Sequence, residues 1–197
     1  MELWVGTEST WSIRAWLCAQ IAQIPVDVKV IDLTSESDKQ RLAGKSPSAL
    51  VPILIDGETL IHDSLAIAEY LNEISHGALL PKDSRQRALV RSLCCELHSG
   101  FSHIRGQMPL SFAAVESVAE NAELNREIDR ITDIFFRAKR PFYSQEPGMF
   151  DAFYGVLAYR LNQYGVKLTG LAGQYQTDLL QWPLLQKSFD QARNWSC

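Results

Sequence analysis

The sequence predicts a small α/β unit followed by an all-helical one. Before Gly77, short apolar or alternating runs are interleaved with helix-like stretches, as strands and helices are in a layered α/β unit. After that point strand signals stop, and long stretches of helical periodicity are separated by Pro109, Pro141, Pro147 and Gly165.

In chain order, Glu2 to Gly6 is a short apolar run that reads as a strand, and Trp11 to Ala22 reads as a helix. Val26 to Ile31 sets Val against Asp and Lys with the two-residue period of a half-buried strand. Ser35 to Ala43 is a polar helix, and Pro52 to Ile55 with Thr59 to Ile61 flanks the Asp56-Gly57 turn as a hairpin. Ser64 to Ile74 is a strong helix with Ala66, Ile67, Tyr70, Leu71 and Ile74 as its expected buried stripe. Beyond the connector from Gly77 to Asp83, helices are expected over Ser84 to about Met108, Ala113 to Lys139, Met149 to Gln163 and Leu179 to Trp195. The expected domains are 1–77 and 84–197.

The 197 residues suit two small domains, and 46% apolar against 21% charged side chains supply a core and exclude intrinsic disorder. A net charge of −4 lacks the basic footprint of a phosphate-backbone binder, so nucleic acid is not an expected partner. The longest apolar runs, such as Ala49 to Ile55, fall far short of the roughly 18 to 20 residues that cross a bilayer. The start Met1-Glu2 lacks the basic, apolar signature of a secretory signal, so a cytoplasmic location with reduced thiols is expected. Cys18, Cys94, Cys95 and Cys197 form no Cys-x-x-Cys and have no His at ligand spacing, which argues against a metal site.

Several chemistries fail on spacing. Gly44-Lys45-Ser46 imitates the end of a phosphate loop, but Lys39 stands where the earlier glycine is required. No Gly-x-Ser-x-Gly elbow and no His-Glu-x-x-His helix is present. The sequon Asn194-Trp195-Ser196 carries no meaning in a cytosolic chain.

One constellation remains. Pro52 opens a strand directly after Val51, and because proline cannot donate to a ladder it lies at an edge or turns the chain through a cis bond. Either leaves Val51 backbone groups open to an extended ligand. Asp63-Ser64 stands at a helix start, where free N–H groups suit a carboxylate and an acid suits an amine. That pair reads as a receptor for an α-amino-acid head group, or as a plain helix N-cap.

With these residues in place, the chain resembles the soluble glutathione transferases over nearly its whole length, and looks closest to bacterial serine-type members. The resemblance is carried by Thr7-Glu8-Ser9-Thr10-Trp11-Ser12-Ile13-Arg14-Ala15-Trp16, by Ser46 to Gly57 and by His62 to Leu71. Glu96 to Phe101 with Arg105, Met108 and Pro109, and Asp151 to Tyr154, carry it in the second half. The resemblance implies a thioredoxin-like N-terminal domain, an all-helical C-terminal domain and glutathione as co-substrate, with no metal. It implies that Val51 pairs through its backbone with the cysteinyl part of glutathione, before a cis Pro52. Asp63 and Ser64 take the γ-glutamyl amine and carboxylate, and Thr10 joins this set. Ser9 is the expected hydroxyl facing the sulfur, with Thr7, Thr10 or Ser12 exchanging roles under a shifted register. His98, Phe101, Arg105 and Met108, three to four residues apart on one helical face, are expected to line the electrophile pocket.

The implied activity is conjugation of glutathione to small hydrophobic electrophiles by a homodimer. Glutathione-dependent isomerisation or peroxide reduction, or a binding platform with little turnover, are the alternatives. Two departures stand out. Leu50 occupies the place where many members carry Lys or Arg, leaving Lys45 or Arg14 to substitute, and Gly148 stands where Ser or Thr usually precedes the Asp of the helix near Met149.

Overall fold

A computed structural model describes residues 1–119 and 121–195. Cys197 and the Ser196 of the sequon lie outside them. The chain divides into two compact units, one formed by Met1–Leu79 with the chain from Lys187 onward, the other by Leu80–Gln186.

The first unit runs β1 (Glu2–Gly6), α1 (Thr10–Ile21), β2 (Asp27–Ile31), α2 (Glu36–Lys45), β3 (Ile53–Asp56), β4 (Thr59–His62) and α3 (Ser64–Ile74). This is the βαβαββα order of a thioredoxin-like unit. The sheet order is β2-β1-β3-β4, with β1 parallel to β2 and the β3–β4 hairpin antiparallel. β1 is central, so both its faces need apolar cover. Trp4 clusters on one face with Ile31, Leu42 of α2 and Ile53. Leu3 and Val5, on the other face by the two-residue alternation, are fully buried.

α3 has the expected bounds, but its buried stripe is rotated from the expected one. Ser64, Ile67, Ala68, Leu71 and Asn72 are buried, whereas Ala66 is exposed and Tyr70 and Ile74 are only partly covered. Two polar side chains sit on the inner face, which apolar periodicity cannot detect. Asn72 is accommodated because its Oδ1 accepts from the Leu79 N–H at 3.1 Å. Tyr70 turns outward and donates its hydroxyl to Asp56 at 2.6 Å.

The second unit contains α4 (Ser84–Ser99), α5 (Ser102–Gln107), α6 (Ala122–Phe136), α7 (Met149–Gln163), α8 (Gly170–Gln181) and the start of α9 (Pro183–Asn194). α7 is its centre. Nearly all of its residues from Met149 to Leu161 are buried, as expected of a helix apolar all round. Tyr143, Phe150 and Tyr154 stack at centroid distances of 3.8 and 4.2 Å, and the Tyr154 hydroxyl donates to the Leu93 carbonyl of α4 at 2.9 Å.

Three expected helix spans are corrected. The helix starting at Ser84 does not reach Met108. It stops at Ser99 because Gly100 leaves helical geometry and Phe101 takes a left-handed φ of 53°. A Cβ at Gly100 would lie 2.8 Å from the Glu96 carbonyl oxygen, so the break needs a glycine. The helix expected from Ala113 begins at Ala122, capped by Asn121, whose side chain accepts from Leu124 N–H at 2.9 Å. The last span is two helices, with the first starting at Gly170. Trp182 precedes Pro183 and takes ψ 116°, the extended backbone a following proline favours, and Pro183 then opens α9.

Candidate functional site

The β1–α1 turn places Ser9. Glu8 takes a left-handed φ of 53°, and Ser9 follows as the N-cap of α1. The Ser9 Oγ accepts from the Ser12 N–H at 3.3 Å, which leaves its own hydrogen available for donation. Ser9 is only 7% exposed. Ser12 is fully buried and accepts from the Gly6 N–H at 3.0 Å, so its hydroxyl ties the helix start to the end of β1. Thr7, one turn position earlier, accepts from Leu33 N–H at 3.4 Å, and Thr10 is buried as the first residue of α1.

Gly6 brings Val51 to this turn, because a Cβ there would stand 2.7 Å from Val51 Cγ2. The Val51–Pro52 bond is cis, one of the two alternatives the proline leaves open. Among the described residues no backbone hydrogen bond outside the strands engages Val51. The preceding loop is fixed by Ala49 N–H donating to the Ser46 carbonyl at 3.0 Å, and Leu50 at its tip is 69% exposed.

Of the pair, Asp63 takes the N-cap role. Asp63, at φ 77°, is the N-cap of α3, and its Oδ1 accepts from Leu65 N–H at 2.8 Å and Ala66 N–H at 3.4 Å. Ser64 does no capping. It is 1% exposed and its Oγ has no hydrogen-bond partner, a costly arrangement for a buried hydroxyl unless a ligand completes it. The positive end of α3 and that hydroxyl suit a carboxylate. The two candidates to replace the charge missing at Leu50 have other company. Arg14 is buried with its guanidinium 4.6 Å from the Trp11 ring centroid, and Lys45 Nζ lies 5.4 Å from that of Trp4.

In the helical unit, His98, Phe101, Arg105 and Met108 do not share one helix face. His98 belongs to α4, Phe101 precedes α5, Arg105 lies in α5, and Met108 ends it. The break at Gly100 defeats the spacing argument, but Arg105 Nη1 donates to the His98 carbonyl at 3.0 Å and links the two helices. Phe101 and Met108 are buried apolar residues of this unit. One residue was missed by sequence reasoning. Arg160 of α7 is 6% exposed, and its guanidinium is pushed down to about 10, first by burial and then by the like charge of Arg105. A single arginine within the apolar run of α7 was the available signal, since Arg is seldom buried without a purpose. Burial also raises the Cys18 thiol far above its usual range, which removes it as a nucleophile. Among the described residues no three His, Cys, Asp or Glu side chains gather as a metal site, and no helix is long and apolar enough to cross a membrane.

Residues 8–74 match the glutathione S-transferase N-terminal domain. A probable maleylacetoacetate isomerase of Vibrio cholerae is 29% identical over 122 residues, 60% of this chain and 57% of that protein. A second, from Caenorhabditis elegans, is 36% identical over 92 residues, 46% of this chain and 42% of its own length. These alignments thus span about half of the relatives' length. A glutathione transferase homolog from Burkholderia, solved with bound glutathione, has a TM-score of 0.71 at 22% identity, covering 98% of this chain and 97% of its own. The fold is that of the glutathione transferases, and residues 8–74 are similar to the N-terminal domain of that family.

Proposed function

We propose that the chain binds glutathione on its first unit and ionises the thiol for attack on a small electrophile. The observation that carries this reading is the Ser64 Oγ, buried without a partner at the first turn of α3, beside Asp63. In this reading the Ser64 hydroxyl, at the positive end of α3, takes the γ-glutamyl carboxylate, and Asp63 takes the amine. The Val51 backbone pairs with the cysteinyl residue before Pro52, and Thr10 completes the set. Ser9 donates its hydroxyl hydrogen to the sulfur. A thiol with a reference pKa of about 8.5 is mostly protonated at neutral pH, and each unit of lowering corresponds to about 1.4 kcal/mol in favour of the thiolate. Ser9 is therefore a donor and not the attacking group.

In conjugation the thiol proton passes to solvent and the sulfur lone pair forms the new S–C bond. The displaced electron pair departs with a leaving group or takes up a proton. His98, Phe101, Arg105 and Met108 of the second unit are the proposed electrophile-binding residues. A second reading, glutathione-dependent isomerisation of an unsaturated acid, is favoured by Arg105 and Arg160, two guanidiniums close enough to depress one of them. There the S–C bond forms, the carbon skeleton rotates, and the bond breaks to return the thiolate. The relatives named maleylacetoacetate isomerases agree with that alternative. A homodimer working in the cytoplasm is part of the proposal, as is the platform alternative that exposed Leu50 favours. Retention on immobilised glutathione, followed by a thiolate absorbance titration of the complex, tests the proposal. Retention with a lowered thiol pKa supports it, and retention with the pKa of free glutathione leaves only a platform.

A further inference from the structure

The helical unit carries a cavity of about 180 Å³ lined by Gln86, Leu89, Val90, Arg137, Lys139, Tyr143 and Ser144. It lies between α4 and the segment that joins α6 to α7, and shares no residue with the proposed glutathione-binding or electrophile-binding residues. Its chemistry is two-sided. Leu89 and Val90 supply an apolar wall, with Leu89 52% exposed. The opposite wall presents a guanidinium, an ammonium, a phenol and a hydroxyl.

The cationic wall is held in place. Arg140, between the pocket's Lys139 and Tyr143, forks onto Asp178 through Nε and Nη2 and onto Gln174 through Nη1. The Lys139 N–H donates to the Tyr143 carbonyl at 3.3 Å, and the Tyr143 N–H donates to Asp151 at 2.9 Å. The Tyr143 ring stacks on Phe150. These bonds anchor the backbone of the segment on α7 and α8 and so set where the Arg137 and Lys139 side chains start.

Of the three cations in this run, only Arg140 has an acid. Arg137 and Lys139 form no ion pair among the described residues. Burial raises the Tyr143 hydroxyl, and the positive charges of Arg137 and Arg130 oppose that rise. Arg130 is already forked onto Glu96. Arg137 and Lys139 thus line the cavity without a carboxylate partner of their own, beside an apolar wall, an arrangement complementary to a small acid with an apolar body.

We infer that this cavity binds a small amphipathic carboxylate, its anion between Arg137 and Lys139 and its apolar body on Leu89 and Val90. The site is independent of glutathione. The test is a fluorine NMR titration of the full chain with 4-fluorobenzoate, at saturating glutathione, with 4-fluorobenzyl alcohol as the uncharged control. The expected result is saturable binding of the acid, at least tenfold weaker binding of the alcohol, and at least tenfold weaker binding of the acid by the Arg137→Gln, Lys139→Gln double variant. Both side chains are exposed, and a thermal melt matching the parent confirms that the variant folds. Absence of saturable binding overturns the inference, as does binding that survives the double substitution or is lost in Ser64→Ala. Sedimentation showing that Leu89→Asp splits a dimer, in a parent chain that binds no acid, assigns the surface to a second copy and also overturns it.

Discussion

The Tyr175 hydroxyl donates to Oδ1 of Asp151 at 2.5 Å, inside the helical unit where both residues are buried. The same carboxylate accepts from the Tyr143 N–H at 2.9 Å and, through Oδ2, from the Gly148 N–H at 3.0 Å. One acid therefore joins the start of α7, the segment before it and α8. Gly148 has no side chain to cap the helix, and Asp151 reaching back to its N–H supplies the half of a capping box that remains.

Burial raises the Asp151 carboxyl to about 6, and the Tyr175 hydrogen bond is the largest of the opposing effects. Because the folded pKa lies above that of an unfolded Asp, the folded state binds more protons between about pH 4 and 6. This group's contribution to stability therefore falls as pH rises through that window, by on the order of 3 kcal/mol. Urea unfolding across the window measures it, and Asp151→Asn flattens this component of the slope. Tyr175→Phe moves the carboxyl higher still, extending the loss to higher pH, and a slope unchanged in both variants contradicts the account.

Ser64→Ala is expected to leave folding nearly unchanged, because no protein hydrogen bond is lost with the hydroxyl. Glutathione affinity falls by about 10- to 100-fold, the range of a hydrogen bond to a charged group. Calorimetric titration with glutathione measures it. The opposite direction is expected for Leu50→Lys, which places a cation at an exposed loop tip and tightens binding.

On the proposed reading, Ser9→Ala is expected to remove the donor to the thiolate while Val51, Asp63 and Ser64 remain, so that the thiol pKa returns towards that of free glutathione with binding kept within a few-fold. Loss of the N-cap costs about 1 kcal/mol of stability, read from a denaturant midpoint. Thr7→Val is the matched control. If Thr7→Val, and not Ser9→Ala, restores the ordinary thiol pKa, the hydroxyl roles are exchanged.

Arg105→Gln relieves the like charge on Arg160, whose guanidinium pKa then rises. If the electrophile is an unsaturated acid, its KM rises at least tenfold in this variant, whereas an uncharged aryl halide is affected less than threefold. Equal effects on both substrates argue that Arg105 only supports the α4–α5 break through His98.

The sequence read some parts of this molecule well because their signals are local. α3 and α7 have the bounds the sequence predicts, α3 (Ser64–Ile74) through its apolar periodicity and α7 (Met149–Gln163) as an apolar run between Pro147 and Gly165. The proline after Val51 marked the turn before β3 without settling its isomer. What escaped depends on contacts distant in sequence. Asn72 is tolerated on the inner face of α3 only because Leu79 offers an N–H. The break between His98 and Arg105 depends on the closeness of Gly100 to the Glu96 carbonyl, which a three-to-four spacing count passes over. Arg160 has no motif, and its meaning emerges only when Arg105 is seen to act on it. At the candidate site, residue type and spacing point to Ser9, Val51, Asp63 and Ser64 and include an N-cap at Asp63-Ser64 as one reading, but which of the pair caps α3 and which is left without a partner depends on geometry that spacing does not carry.

The most direct test is an ultraviolet titration of the glutathione thiolate, bound to the parent chain and to Ser9→Ala. The account predicts a midpoint well below the usual thiol value in the parent and a return towards that value in the variant. A parent complex that titrates like free glutathione contradicts it.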